Sequence, residues 1–206
     1  MKLVPLVIAA ALVLTGCTSA PEPVVETPVT EAPVEPVTVA TGLAVSGTGI
    51  AITYDDDTTQ EFAFADDPAA AIEALTLALG GPPAVSQSEQ LTCQPSFDSS
   101  SWPGLGIRSN YEALPDGQKF AVTIDAAVSG SLPLSTTEGV AVGGDGSDAF
   151  KALDGATRDR ATDQGVNYDT IFFDQQSGDE WGGYLFSAND TVVTIVAPVR
   201  YDTLGC

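Results

Sequence analysis

The sequence predicts an α+β fold of two tandem related units, each a short helix packed on a small antiparallel sheet. Three observations carry this. Short segments recur in the same order, each half holds one stretch with helix-capping signals, and the remaining apolar runs are short, β-rich and bounded by Gly, Asp, Asn or Pro. The recurring segments are Ala74 to Gly81 with Asp148 to Gly155, Trp102-Pro103-Gly104-Leu105 with Trp181-Gly182-Gly183-Tyr184, and Val122 to Val128 with Val193 to Val199. Their offsets of about 74, 79 and 71 residues read as an internal duplication. The globular region, 41-206, divides on this basis into about 41-132 and 133-206.

Before the first helix, Ile50 to Tyr54 and Glu61 to Phe64 read as a hairpin around Asp55-Asp56-Asp57-Thr58-Thr59. Asp66-Asp67-Pro68 then supplies an N-cap with proline in the first turn. Ile72, Leu75 and Leu79 with Ala71 and Ala78 form an apolar stripe, and Gly80-Gly81-Pro82-Pro83 stops the helix. A shorter second helix, capped by Asp145, Ser147 or Asp148, runs through Phe150 and Leu153 and ends near Gly155. Further strands are expected near Gly104 to Ser109, Phe120 to Ile124, Tyr168 to Phe173, Tyr184 to Ser187 and Thr191 to Ala197.

The amino terminus is read from Lys2, an apolar run from Leu3 to Leu14, and then Thr15-Gly16-Cys17. A charged start with an h-region of about 12 residues fits an export signal and is too short to span a hydrocarbon core. Leu14-Thr15-Gly16-Cys17 resembles the lipobox of bacterial lipoproteins. That resemblance implies a signal peptide over 1-16, a diacylglycerol on the Cys17 sulfur, and a mature chain held by lipid on the extracytoplasmic face of the cell membrane. Residues 17-40 form a linker in which Pro21, Pro23, Pro28, Pro33 and Pro36 alternate with Glu22, Glu26, Glu31 and Glu35. Proline favours extended polyproline II and the glutamates repel one another, giving a spacer that reaches roughly 60 to 70 Å at about 3.1 Å per residue.

Charge excludes one class of partner. Asp and Glu number 28 against seven Lys and Arg, for a net charge of -21, and the few cations are too scattered to release counterions from a phosphate backbone, so no nucleic acid is expected. Hydrophobic residues at 44% exclude a disordered composition for the region beyond the linker. With Cys17 taken by lipid, Cys93 and Cys206 remain as a pair, expected as a disulfide in an oxidising compartment. Such a bridge closes a loop of about 114 residues and contributes roughly 3 to 5 kcal/mol on the chain-entropy model.

Catalytic patterns are missing. The chain has no histidine, which removes the commonest base for a serine or cysteine nucleophile and rules out a His/Cys zinc site. No Gly-x-Ser-x-Gly elbow occurs, and Asp116 and Asp148, not serine, precede Lys119 and Lys151 by three residues. The glycine-rich runs Gly42 to Gly49 and Val142 to Gly146 lack a Gly-Lys-Ser/Thr ending. Asp55-Asp56-Asp57 and Asp145-Gly146-Ser147-Asp148 offer oxygen ligands but complete no EF-hand, and turn formation and capping account for both. Neither catalytic residue, metal nor cofactor is expected.

Trp102 and Trp181 occupy matching places in the two halves and are the candidate binding residues, open to core packing or to anchoring a partner. The expected function is a membrane-anchored, surface-exposed lipoprotein with a non-enzymatic interaction domain, its partner an envelope protein. A small-ligand or calcium-binding accessory protein is the alternative. A second alternative is a secreted-type enzyme inhibitor, because the size and the tandem helix-plus-sheet plan resemble the architecture of the β-lactamase inhibitory proteins.

Overall fold

Strand pairing corrects the expected α+β plan of two units with a small sheet each. The computed structural model describes residues 38–90, 95–175 and 181–200, and among these thirteen strands and two short helices make a mostly β fold of two sheets sharing one core. In chain order the elements are β1 (Ala40–Val45), β2 (Gly49–Tyr54), β3 (Thr59–Ala63), α1 (Pro68–Ala78), β4 (Ala84–Ser88), β5 (Phe97–Trp102), β6 (Leu105–Ser109), β7 (Phe120–Ile124), β8 (Val128–Ser129), β9 (Leu132–Thr136), α2 (Gly146–Ala152), β10 (Thr157–Asp163), β11 (Val166–Phe173), β12 (Trp181–Ala188) and β13 (Thr191–Arg200). The signal peptide, Cys17, Cys93 and Cys206 lie outside the described residues. Of the linker only 38–40 fall within them, and Ala40 already opens β1.

Local chemistry sets the element ends. Between β2 and β3, Asp56 Oδ1 accepts from the Thr58 amide at 3.0 Å and from its hydroxyl at 2.6 Å, closing the turn. Asp67 caps α1 by accepting from the Ala69 amide at 2.9 Å, with Pro68 in the first turn where its missing N–H costs nothing. At the far end Gly80 takes φ 71°, a left-handed step that favours glycine. Asp145 caps α2 by accepting from the Asp148 amide at 2.8 Å.

The five-stranded sheet has the order β3-β2-β1-β9-β8, and the eight-stranded sheet the order β10-β11-β12-β13-β7-β6-β5-β4. Both draw on both halves of the chain. β9 lies parallel to β1 with Leu43 beside Leu134, and β13 lies antiparallel to β7 with Ile195 beside Ile124. Edge exposure explains the second junction. All five residues of β7 are buried, and β13 buries Val192, Ile195, Ala197 and Pro198. Two separate small sheets would leave both strands as apolar edges open to water and to foreign strands; pairing them removes both edges. The true edges are polar: β4 reads Ala-Val-Ser-Gln-Ser and β10 carries Arg158, Asp159, Arg160 and Asp163, nearly all exposed. A helix followed by four strands occurs twice, as α1 then β4 to β7 and α2 then β10 to β13.

One face of the eight-stranded sheet builds the core. Ile171, Leu185, Ile195, Ile124, Leu105 and Trp102 stand side by side across six strands, none more than 8% exposed. The two sheets meet where Phe64, just after β3, packs edge-to-face on Phe120 at 5.2 Å, and the Phe64 carbonyl accepts from the Lys119 amide at 2.7 Å. Gly183 in β12 leaves room for its cross-strand neighbour, since a Cβ there would stand 2.2 Å from the buried Phe173 ring.

Candidate functional site

Successive residues of a strand point to opposite faces, so the pairing register defines what the other face of this sheet presents. Thr157, Phe172, Tyr184, Val196, Thr123, Gly106, Ser101 and Ala84 form one row across all eight strands. A parallel row holds Asp159, Thr170, Phe186 and Thr194. Arg108 and Ala121 form a third, beside Ser99.

This outer face is neither a core nor a plain solvated surface. Tyr168 stacks on Phe186 with ring centroids 5.5 Å apart, and Phe97 meets Tyr111 edge-on at 5.5 Å. The Arg108 guanidinium lies 4.9 Å above the Phe97 ring. Asp125, just beyond β7, accepts from the Thr194 hydroxyl at 2.7 Å. Burial raises the Tyr184 phenol above its ordinary value; the nearby Arg108 opposes that rise, and Asp125 and Tyr111 add to it. Thr123, 9% exposed, has a hydroxyl shut from water with no partner among the described residues.

A second polar group sits on the core side, below α2. Asp169 on β11 is 2% exposed and takes both Arg160 Nε, at 2.7 Å, and a second Arg160 nitrogen at 3.0 Å, together with Arg158. Arg158 also faces the Phe150 ring at 5.6 Å and Asp190 at 3.8 Å, while Ser147 donates to Asp190 at 2.9 Å. The hydrogen bonds from Arg160 and Arg158 hold the Asp169 carboxyl well below the usual carboxylate range. A carboxylate so locked is unsuited to proton transfer near neutral pH, and the group ties the edge strand β10 to β11.

The candidate binding tryptophans part company here. Trp102 is 8% exposed, belongs to the core, and donates from its indole nitrogen to the Gly81 carbonyl at 2.9 Å. That burial makes it a packing residue and not a partner anchor. Trp181 is half-buried at the start of β12, opposite Arg200. The acidic turns serve the backbone as caps and turn acceptors, and among the described residues no group of three or more His, Cys, Asp or Glu could hold a metal ion.

The aromatic outer face was not singled out from the sequence, although its signal is present. Tyr168-x-Thr170-x-Phe172 and Tyr184-x-Phe186 alternate out of phase with the core residues Ile171 and Leu185, placing large rings where a solvated sheet face would carry small polar groups. No family model, curated protein or solved structure matches the chain.

Proposed function

We propose that the chain is a lipid-anchored lipoprotein of the extracytoplasmic face of the cell membrane. Its domain is a non-enzymatic interaction module that engages an envelope protein through the outer face of the eight-stranded sheet. One observation carries the reading of the domain: a broad face with stacked aromatic residues and an arginine lies opposite the core, where interfaces typically concentrate Tyr, Phe and Arg. At strand spacings of about 4.8 Å, eight strands span roughly 34 Å, a width suited to a protein partner.

The lipid on Cys17 would tether the domain to the membrane through the linker. A Cys93–Cys206 disulfide belongs to the same reading. The repeated helix and four-strand order supports a duplication of 41-132 and 133-206 within the single two-sheet fold.

Two measurements test this function. Cys17→Ser should move the protein from the membrane fraction to the soluble fraction; retention after a high-salt wash would remove the lipid-anchor reading. A photo-crosslinking residue at Tyr168 should give a discrete protein adduct in intact cells that is lost with Phe186→Asp, while the same group at Glu61, on the other sheet, gives none. Equal adducts from both positions would remove the outer face as the interaction surface.

A further inference from the structure

Arg108 is the anomaly on this face. In a chain with 28 acidic residues and seven Lys and Arg, Lys151 holds Asp148 and Arg158 and Arg160 hold Asp169, while Lys119 stands exposed to water. Among the described residues Arg108 has neither a carboxylate nor a hydrogen-bond partner. It stacks on Phe97, which is itself braced by Tyr111. Stacking fixes the plane of a guanidinium and leaves its fork of N–H donors unengaged.

The surroundings supply more donors and room for an acceptor. Ala121, directly opposite Arg108, is small, and a Cβ on Gly106 would meet open space. Thr123, opposite Gly106, holds its unpartnered buried hydroxyl on the same face. Tyr184 stands two strands beyond Thr123 with its phenol in electrostatic reach of Arg108 and Tyr111. Asp125, the carboxylate whose charge acts on Tyr184, already accepts from Thr194. An unengaged guanidinium, an orphan hydroxyl and phenols around a floor of small residues are complementary to a carboxylate, whose two oxygens a guanidinium binds as a fork.

We propose that Arg108, framed by Phe97, Tyr111, Thr123 and Tyr184, is a receptor for a single Asp or Glu side chain presented by the protein partner. The proposal rests on the reading of this face as a protein interaction surface and is independent of the lipid anchor. The -21 net charge opposes a partner that is acidic throughout. Screening limits that field to about 8 Å at physiological ionic strength, whereas a desolvated guanidinium pair is screened much less. The occupant is therefore one carboxylate on an otherwise neutral or basic surface.

The test uses the full chain in mild detergent, following the Arg108 side-chain N–H by NMR. N-acetyl-aspartate amide should shift that signal saturably, together with Thr123, and at least tenfold more tightly than N-acetyl-asparagine amide. Arg108→Gln should abolish saturation, Arg108→Lys should weaken it severalfold in a chain with unchanged signal dispersion, and Lys151→Gln, at an exposed cation on α2, should leave it intact. Equal response to the two amides, no saturation, or the same loss in Lys151→Gln would overturn the receptor. Panning against random nonapeptides with a fixed central Asp or a fixed central Asn then tests the source. Binders should emerge from the Asp set and depend on Arg108; saturation by the amide without any peptide binder would overturn a protein-borne ligand. Loss of the receptor with persisting Tyr168 adducts would leave the interaction face standing, so the two readings fail separately.

Discussion

Asp169→Asn should lower the unfolding free energy by about 3–5 kcal/mol, the scale for breaking a buried ion pair from one side. The side chain of Arg158 is only 18% exposed and its Nε is buried with no partner among the described residues, so removing the carboxylate charge leaves a largely desolvated cation with only the more exposed Asp190, at 3.8 Å. Arg160 is 58% exposed and returns to water at little cost, which places most of the loss on Arg158. The pH dependence follows from the same pair. The folded carboxyl titrates below the unfolded value of about 3.9, so its stabilisation is complete above that value and is lost as pH falls from about 4 toward the folded pKa. Urea unfolding at pH 7 and at pH 3 checks both statements: wild type should lose stability on acidification by more than Asp169→Asn does. Arg158→Met with Asp169→Leu should regain part of the loss, because apolar packing replaces two desolvated charges. An Asp169→Asn loss below about 1 kcal/mol would show that the cluster is solvated.

Phe120→Ala should cost a similar amount, about 3–5 kcal/mol, for the other main reason that single changes unfold domains. Phe120 is 0% exposed, opens a strand that is buried throughout, and meets Phe64 edge-to-face where the two sheets join. The backbone beside it is pinned by the bond from the Lys119 amide to the Phe64 carbonyl, so the cavity has little freedom to collapse. Val85→Ser is the matched control, at a strand residue 77% exposed on the edge strand β4, and should stay within about 0.5 kcal/mol of wild type. Equal midpoints for the two variants in denaturant would show that the Phe64–Phe120 contact does not join the sheets.

The elements that the sequence foretold are those whose signals lie within a few residues. The Asp67 cap with Pro68, the Asp56 turn and the apolar runs of β7 and β13 all needed only their neighbours. The strands it passed over are β1, β8 and β9, short runs in which glycine, proline or serine interrupts the apolar residues, and β4, β5 and β10, the last three rich in Ser, Gln, Asp and Arg. Of these, β4 and β10 are sheet edges and bury almost nothing, so no hydrophobic alternation is imposed on them.

By itself the sequence determined the acid load, the absence of histidine, and the local start and stop of both helices and the first hairpin. Those depend on composition or on bonds spanning two to four residues. Tertiary structure alone decided that β9 joins β1, that β13 closes on β7, that Trp102 is a core residue, and that Arg108 stands beside Thr123 on an outer face. Each of these joins residues distant in sequence. Which strand covers which edge is settled by how much apolar surface the whole chain can hide at once, a quantity that no local window contains.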